Sequence, residues 1–362
     1  MPAYDVLIEI TRKRGLRLEY SYVHQEEDSS LYAKLHAISE LDSADATTTW
    51  NLFARAHTLC DLAFFPHNEA LRAEFHLALS ELFAMHSAKP HTWLARNQLS
   101  RVAFELRKIL WERYFGHELT RLRELDVDPV PENPDALVQY LKEVNEYHIA
   151  SNHPVFSYLC DEAPLVDVKS FFYQEGSVDA RFDDLIALAQ IGLDGPAKDE
   201  YAENFADEMG HGDPDRVHTT LFEQTSDYVL GFCGKNEKVM TQPTTEALAC
   251  SNIQLGMAYD RRHTWRLAGY LAAFELNAPK RCEQLVSACT RHGMKRDQLG
   301  YLTEHIDADV GHAEGLFDRI IKPLALYDRR APVEIAQGFL LRLQTSADYC
   351  DAQLHRFLQS NV

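Results

Sequence analysis

The chain has no C-x-x-C pair among its seven cysteines, no run of about 18 uncharged apolar residues, and too few basic residues to balance its acidic ones. The first absence excludes a structural zinc ribbon, and an odd number of cysteines in a long chain argues against a disulfide framework, so a reducing compartment is expected. The second excludes a membrane span. The opening residues MPAYDVLIEITRKRGLRLEY also lack the apolar core of a signal peptide, so the expected location is the cytoplasm. The charge imbalance, 36 Lys and Arg against 55 Asp and Glu, gives a net charge of -19. Duplex nucleic acid and anionic membrane are therefore not expected partners, whereas a cationic or zwitterionic small molecule fits. No G-x-x-x-x-G-K-[ST] loop is present, and the GHGDP segment has only two of the three dinucleotide-fingerprint glycines with no strand before it.

What the sequence does have is helical periodicity. At 362 residues it is long enough for one large domain or two smaller ones, and 46% hydrophobic with 25% charged residues is a globular composition. Apolar residues recur every three or four positions through Leu71, Phe75, Leu79 and Leu82, then through Val102, Leu106, Leu110 and Phe115. Past the turn-rich segment DVDPVPENPD at 126–135, the spacing of Val178, Phe182, Leu185, Ile186 and Ala189 predicts a helix stopped by Gly192. Further helices are expected over 198–209, 215–230, 242–277, 280–292 and 296–321. Alternating strand patterns are nearly absent, so the fold class is all-α. Residues 1–125 are expected to form an N-terminal helical region, a dimerisation or packing arm, and residues 136–362 a second, functional domain.

Seventeen histidines is a high count, but His57, His67, His76 and His91 have no matching carboxylate pattern. In YLTEHIDADVGHAEGLF, by contrast, His305, Asp309 and His312 fall at i, i+4 and i+7, which stacks them on one helix face. Leu302 and Leu316 extend that stripe, suggesting that it faces the interior. A carboxylate buried between two imidazoles is costly unless a metal ion joins them. Glu275 in GYLAAFELNAP has small or apolar neighbours on nearly every side and calls for a similar partner. A third segment, AENFADEMGHGDPDRVHTTLF, holds Glu208, His211 and His218. Glu208 and His211 have the E-x-x-H spacing of ferritin-like bundles, but the second copy that such a site needs is missing; Glu74 and His76 are only two apart. Glu208 and His218 would lie about 15 Å apart on an unbroken helix. Gly210, Gly212 and Pro214 break it and allow them to fold together, with His211 a rival to His218.

The order Glu208, His218, Glu275, then His305-x-x-x-Asp309-x-x-His312, resembles the haem-oxygenase-like diiron oxidases, also described as iron-containing redox enzymes, over residues 140–330. The resemblance implies a haem-oxygenase-like helical bundle in which these six residues bind two Fe(II) ions. It also implies O2 as co-substrate and an external electron donor. The wide gap from Glu208 to His218 is similar to that of the N-oxygenating members, so N-oxygenation of a small amine or amino acid is the expected reaction. Desaturation and C–C fragmentation are alternatives on the same site. Some members recruit a further carboxylate, for which Asp179, Asp183 and Asp184 are the source. A haem enzyme would leave Glu275 and Asp309 unexplained. A cysteine hydrolase would have to use His57 with Cys60 or Cys289 with His292, away from the carboxylates. The remaining alternative is a non-catalytic helical scaffold, which should bind no iron. A homodimer is the expected assembly.

Overall fold

A computed structural model of the chain describes residues 30–124, 129–178, 182–233 and 242–360. Every regular element among them is helical, in agreement with the all-α expectation. The described residues form two compact units that divide between Tyr114 and Phe115, inside the helix Arg101–Glu124. The turn-rich segment expected to be the internal boundary follows that helix, and its residues 126–128 lie outside the described ones.

In the first unit, α1 (Leu31–His36), α2 (Ala46–Leu62), α3 (Glu69–Ser87), α4 (Trp93–Arg96) and the start of α5 (Arg101–Glu124) follow their apolar periodicity. The side chains of Ser30, Asp45 and Thr92 accept hydrogen bonds from the first turns of α1, α2 and α4, supplying partners that helical N–H groups lack. Leu52, Leu59, Phe75, Leu79, Leu82, Leu106 and Leu110 are buried together as a core. Glu74 accepts from the backbone N–H of Leu31 (2.7 Å) and from Nε of Arg55 (2.9 Å). His76 is instead buried against Phe75 and Tyr114, so the two residues do not form a metal motif. His57, His67 and His91 are exposed, the last two at left-handed turns (φ 68° and 70°).

The second unit continues through α6 (Pro134–Tyr147), α7 (Pro154–Asp161), α8 (Leu165–Val178), α9 (Phe182–Ala189), α10 (Gly195–Glu208) and α11 (His218–Gly231). It is completed by α12 (Thr245–Tyr259), α13 (Thr264–Arg291), α14 (Gly300–Gly315) with a π-helical turn Leu316–Ile321, α15 (Lys322–Tyr327) and α16 (Ala331–Ser360). The long α13 packs along α14, α16 and α7, while α10 lies against the π-helical turn and α11 against α14. The site therefore forms where α10 and α11 meet the α13–α14 pair.

Two element boundaries differ from expectation. The helix expected over 242–277 breaks at Asp260, whose carboxylate accepts from the N–H of Arg262 (3.1 Å) and starts a new turn. The break expected near Pro279 is absent. Pro279 removes the N–H that would bond the carbonyl of Glu275, at a cost on the order of 3 kcal/mol. Leu271, Ala278, Cys282 and Leu285 keep a buried face running across it, and that burial outweighs the loss. Val178, Phe182, Leu185, Ile186 and Ala189 are all buried as the periodicity predicts, although they belong to α8 and α9, and Asp179 lies outside the described residues. Phe171 and Phe172 are buried in a core that they share with Val178.

Candidate metal centre

The chain break after Glu208 is the local event that builds the site. Met209 ends the α10 geometry, and Gly210, His211 and Gly212 follow with positive φ (60°, 52° and 88°). A side chain at Gly210 would place its Cβ 2.7 Å from the backbone of Arg216, so only glycine permits this turn. The chain reverses and restarts as α11 at His218, bringing Nδ1 of His218 to 2.8 Å from Oε2 of Glu208. His305 comes from α14, its ring centroid 4.6 Å from that of His218. The donor atoms of Glu208, His218 and His305 all lie within 4.8 Å of one another.

A second group lies one turn further along α14. Asp309 and His312 join Glu275 of α13, again with donor atoms within 4.8 Å. All six residues are buried, none more than 7% exposed, so the α14 motif faces the interior. His211 stands outside both groups, its side chain 69% exposed. Asp183 is half-buried near Glu208: burial raises its carboxyl pKa, and the charges of Asp184 and Glu208 add to that.

The interior of these groups is short of protein partners. Oε1 of Glu275, both carboxylate oxygens of Asp309 and Nδ1 of His312 make no hydrogen bond. Nδ1 of His312 is 3.6 Å from Asp309 and 3.8 Å from Glu275, contacts too long to be hydrogen bonds. Each unsatisfied buried group costs about 1–3 kcal/mol, so three such side chains in one place mark a site shaped for something else. The electrostatics agree. Burial first, then Glu275, pushes the Asp309 carboxyl well above its ordinary range. Burial opposes charge on His312, but Asp309, Glu275 and Asp207 together hold its pKa up to about 12. Burial likewise opposes charge on His218, and Glu208 reverses the direction upward. Burial takes His305 down to about 4. A cation placed among three carboxylates and three neutral imidazoles relieves the carboxylate repulsion and meets the orphaned atoms, and this O/N donor set suits non-haem iron.

Partners behind the rings select which nitrogen faces inward. Nδ1 of His305 bonds the carbonyl of Tyr301 (2.7 Å), leaving Nε2 available. Nε2 of His312 bonds Asp207 (2.8 Å), leaving Nδ1 available. Asp207 was not legible as a site residue, since its role depends on the turn that follows α10. Neither Cys–His pair offers an activated thiolate: burial pushes Cys289 up to about 12, and His292 bonds the carbonyl of Ala163 (3.0 Å). Cys60 is pushed up to about 12 by burial as well.

Two cavities open on the centre. One, of about 40 Å³, reaches His305 between Phe172, Phe222 and Phe274 and is also lined by Arg281 and Arg342. The other, of about 420 Å³, is polar and reaches His218 and His312.

Comparison with known proteins places these features in context. A stretch of 141 residues is 30% identical to the nitrosourea synthase of Streptomyces achromogenes subsp. streptozoticus, covering 37% of this chain and 28% of that protein. The chain thus matches less than a third of this relative. Residues 169–347, which contain all six buried residues, match the family described as iron-containing redox enzymes. Over residues 169–347 this helical chain is thus similar to the iron-containing redox enzymes.

Proposed function

We propose that Glu208, His218, Glu275, His305, Asp309 and His312 hold two ferrous ions, and that the protein uses O2 to oxidise a small amine or amino acid, by N-oxygenation. The observation that carries this reading is the pair of buried three-residue groups, the second of which holds four orphaned donor atoms. Ferrous ions bound there would supply the electrons that O2 activation requires. The protein residues do the rest. Tyr301 and Asp207 hold His305 and His312 in single tautomers. Glu208, Glu275 and Asp309 would offset three of the four positive charges of two ferrous ions, and the burial of all six limits the water that reaches them. Asp183, which feels the charge of Glu208, and Asp184 next to it are the further carboxylates that the described residues offer. N-oxygenation is supported by the relative, whose name denotes a product with an oxidised nitrogen. An external donor would have to return the irons to the ferrous state.

Anaerobic Fe(II) titration followed by rapid mixing with O2, with and without a panel of basic amino acids and amines, tests the proposal. The expected result is about two irons per chain, as a six-ligand carboxylate–histidine site implies, with a transient absorption whose decay one panel member accelerates. If no stoichiometric iron binds, or His305→Ala takes up as much as the wild type, the chain is a helical scaffold instead.

A further inference from the structure

The two cavities that reach the centre differ in chemistry as well as size. The narrow one at His305 has aromatic walls, whereas the cleft of about 420 Å³ touches one residue of each buried group, His218 and His312. Glu200, Glu203 and Asp207 line it from α10, and Glu304 from α14. The cleft already accommodates guanidinium groups against these carboxylates. Arg319, on the π-helical turn, pairs with Glu200 (2.9 Å) and Glu203 (2.7 Å), and Arg216 pairs with Glu304. The Glu200 carboxylate lies against Gly315, in the space that a side chain there would take.

The acids are not the main observation. Asn204 also lines this cleft, is only 1% exposed, and has no hydrogen-bond partner at either Oδ1 or Nδ2. It stands one helical turn before Glu208, on the same face of α10. A buried amide held without a partner destabilises the fold unless a ligand completes it. Its Oδ1 accepts an N–H, and the neighbouring carboxylates favour a positive charge on the group that donates it.

We infer that the cleft takes the protonated nitrogen group of the substrate, with Asn204 as the specificity-determining residue that orients it; this rests on reading the six buried residues as the iron centre. The substrate nitrogen is then presented from the His218 and His312 side, and it gives up a proton to a neighbouring cleft carboxylate before its lone pair can take oxygen.

Calorimetric titration of the anaerobic, Fe(II)-loaded full chain with n-butylammonium and agmatine, and with hexanoate as an anion of similar length, tests this. Both cations should bind and hexanoate should not. Asn204→Ala should weaken cation binding about tenfold, the loss of one hydrogen bond to a charged group. Asn204→Asp, nearly isosteric and anionic, should retain or tighten it, and Glu203→Gln, at an exposed position, should weaken it. If Asn204→Ala does not fold by circular dichroism, the last two variants carry the comparison. Cations that fail to bind the wild type, or that bind all variants equally, overturn the inference. Iron uptake is measured separately with a chromogenic chelator. Should the wild type take up no iron, the proposed function fails, and the same titrations on the metal-free chain still decide the cleft.

Discussion

Asp207 holds His312 from behind: one carboxylate oxygen lies 2.8 Å from Nε2 of His312, while the other lies 2.5 Å from Nε2 of the exposed His211. One surface carboxylate thereby fixes the tautomer of a buried imidazole. Asp207→Ala is expected to weaken iron binding by about 10- to 100-fold, the usual loss when such a supporting partner is removed, with little change in folding. Anaerobic Fe(II) titration checks this, and unchanged affinity would show that the contact does not orient His312.

Asp309 costs the metal-free protein stability. Its two oxygens lack hydrogen-bond partners, and Glu275 lies beside it. Asp309→Asn should therefore raise the melting temperature of the metal-free chain, by about 2–4 °C for each kcal/mol relieved, while reducing iron uptake. A lower melting temperature in the metal-free state would mean that its pairing with His312 outweighs the burial cost.

Ferrous iron should in turn stabilise the wild type, because an ion that binds only the folded state raises its melting temperature. The shift should vanish on adding a chelator and in His305→Ala. Scanning calorimetry under argon measures it, and an equal shift in the variant would locate the bound iron elsewhere.

Gly210→Ala is expected to disrupt the Glu208–His218 pairing, since the new Cβ meets the Arg216 backbone at 2.7 Å and φ is 60°. A substantial loss of bound iron with retained helix content by circular dichroism is the expected result. Full iron uptake would show that the turn has another way to close.

Acid should weaken the second unit partly through His263, which is taken down to about 4 by burial and by the charges of Arg266 and Arg262, against the opposing effect of Asp260. With a folded pKa below the unfolded value of about 6.5, the unfolded chain binds more protons between those two values. The neutral ring's contribution is therefore intact above about pH 6.5 and is lost as the pH falls toward 4. Urea midpoints at pH 7 and pH 5 should differ more for the wild type than for His263→Gln.

Much of this was legible because it depends on residues near one another in sequence. Helical periodicity marks the faces of α3, α5 and α9, and the i, i+4, i+7 spacing puts His305, Asp309 and His312 on one face of α14 whatever surrounds it. The apolar setting of Glu275 announces a buried carboxylate for the same local reason. What tertiary structure decided is how these residues are shared. His305 joins Glu208 and His218, whereas Asp309 and His312 join Glu275, because α10, α11 and α13 approach α14 at different heights. The positive-φ turn at Gly210–Gly212 carries His218 inward and leaves His211 outside, a choice that residue type alone leaves open. Asp207 and Asn204 acquire their roles only from what α10 faces, and the uninterrupted path of α13 through Pro279 depends on packing across it. Local sequence determines which residues share a face of a helix; only long-range packing determines what that face meets.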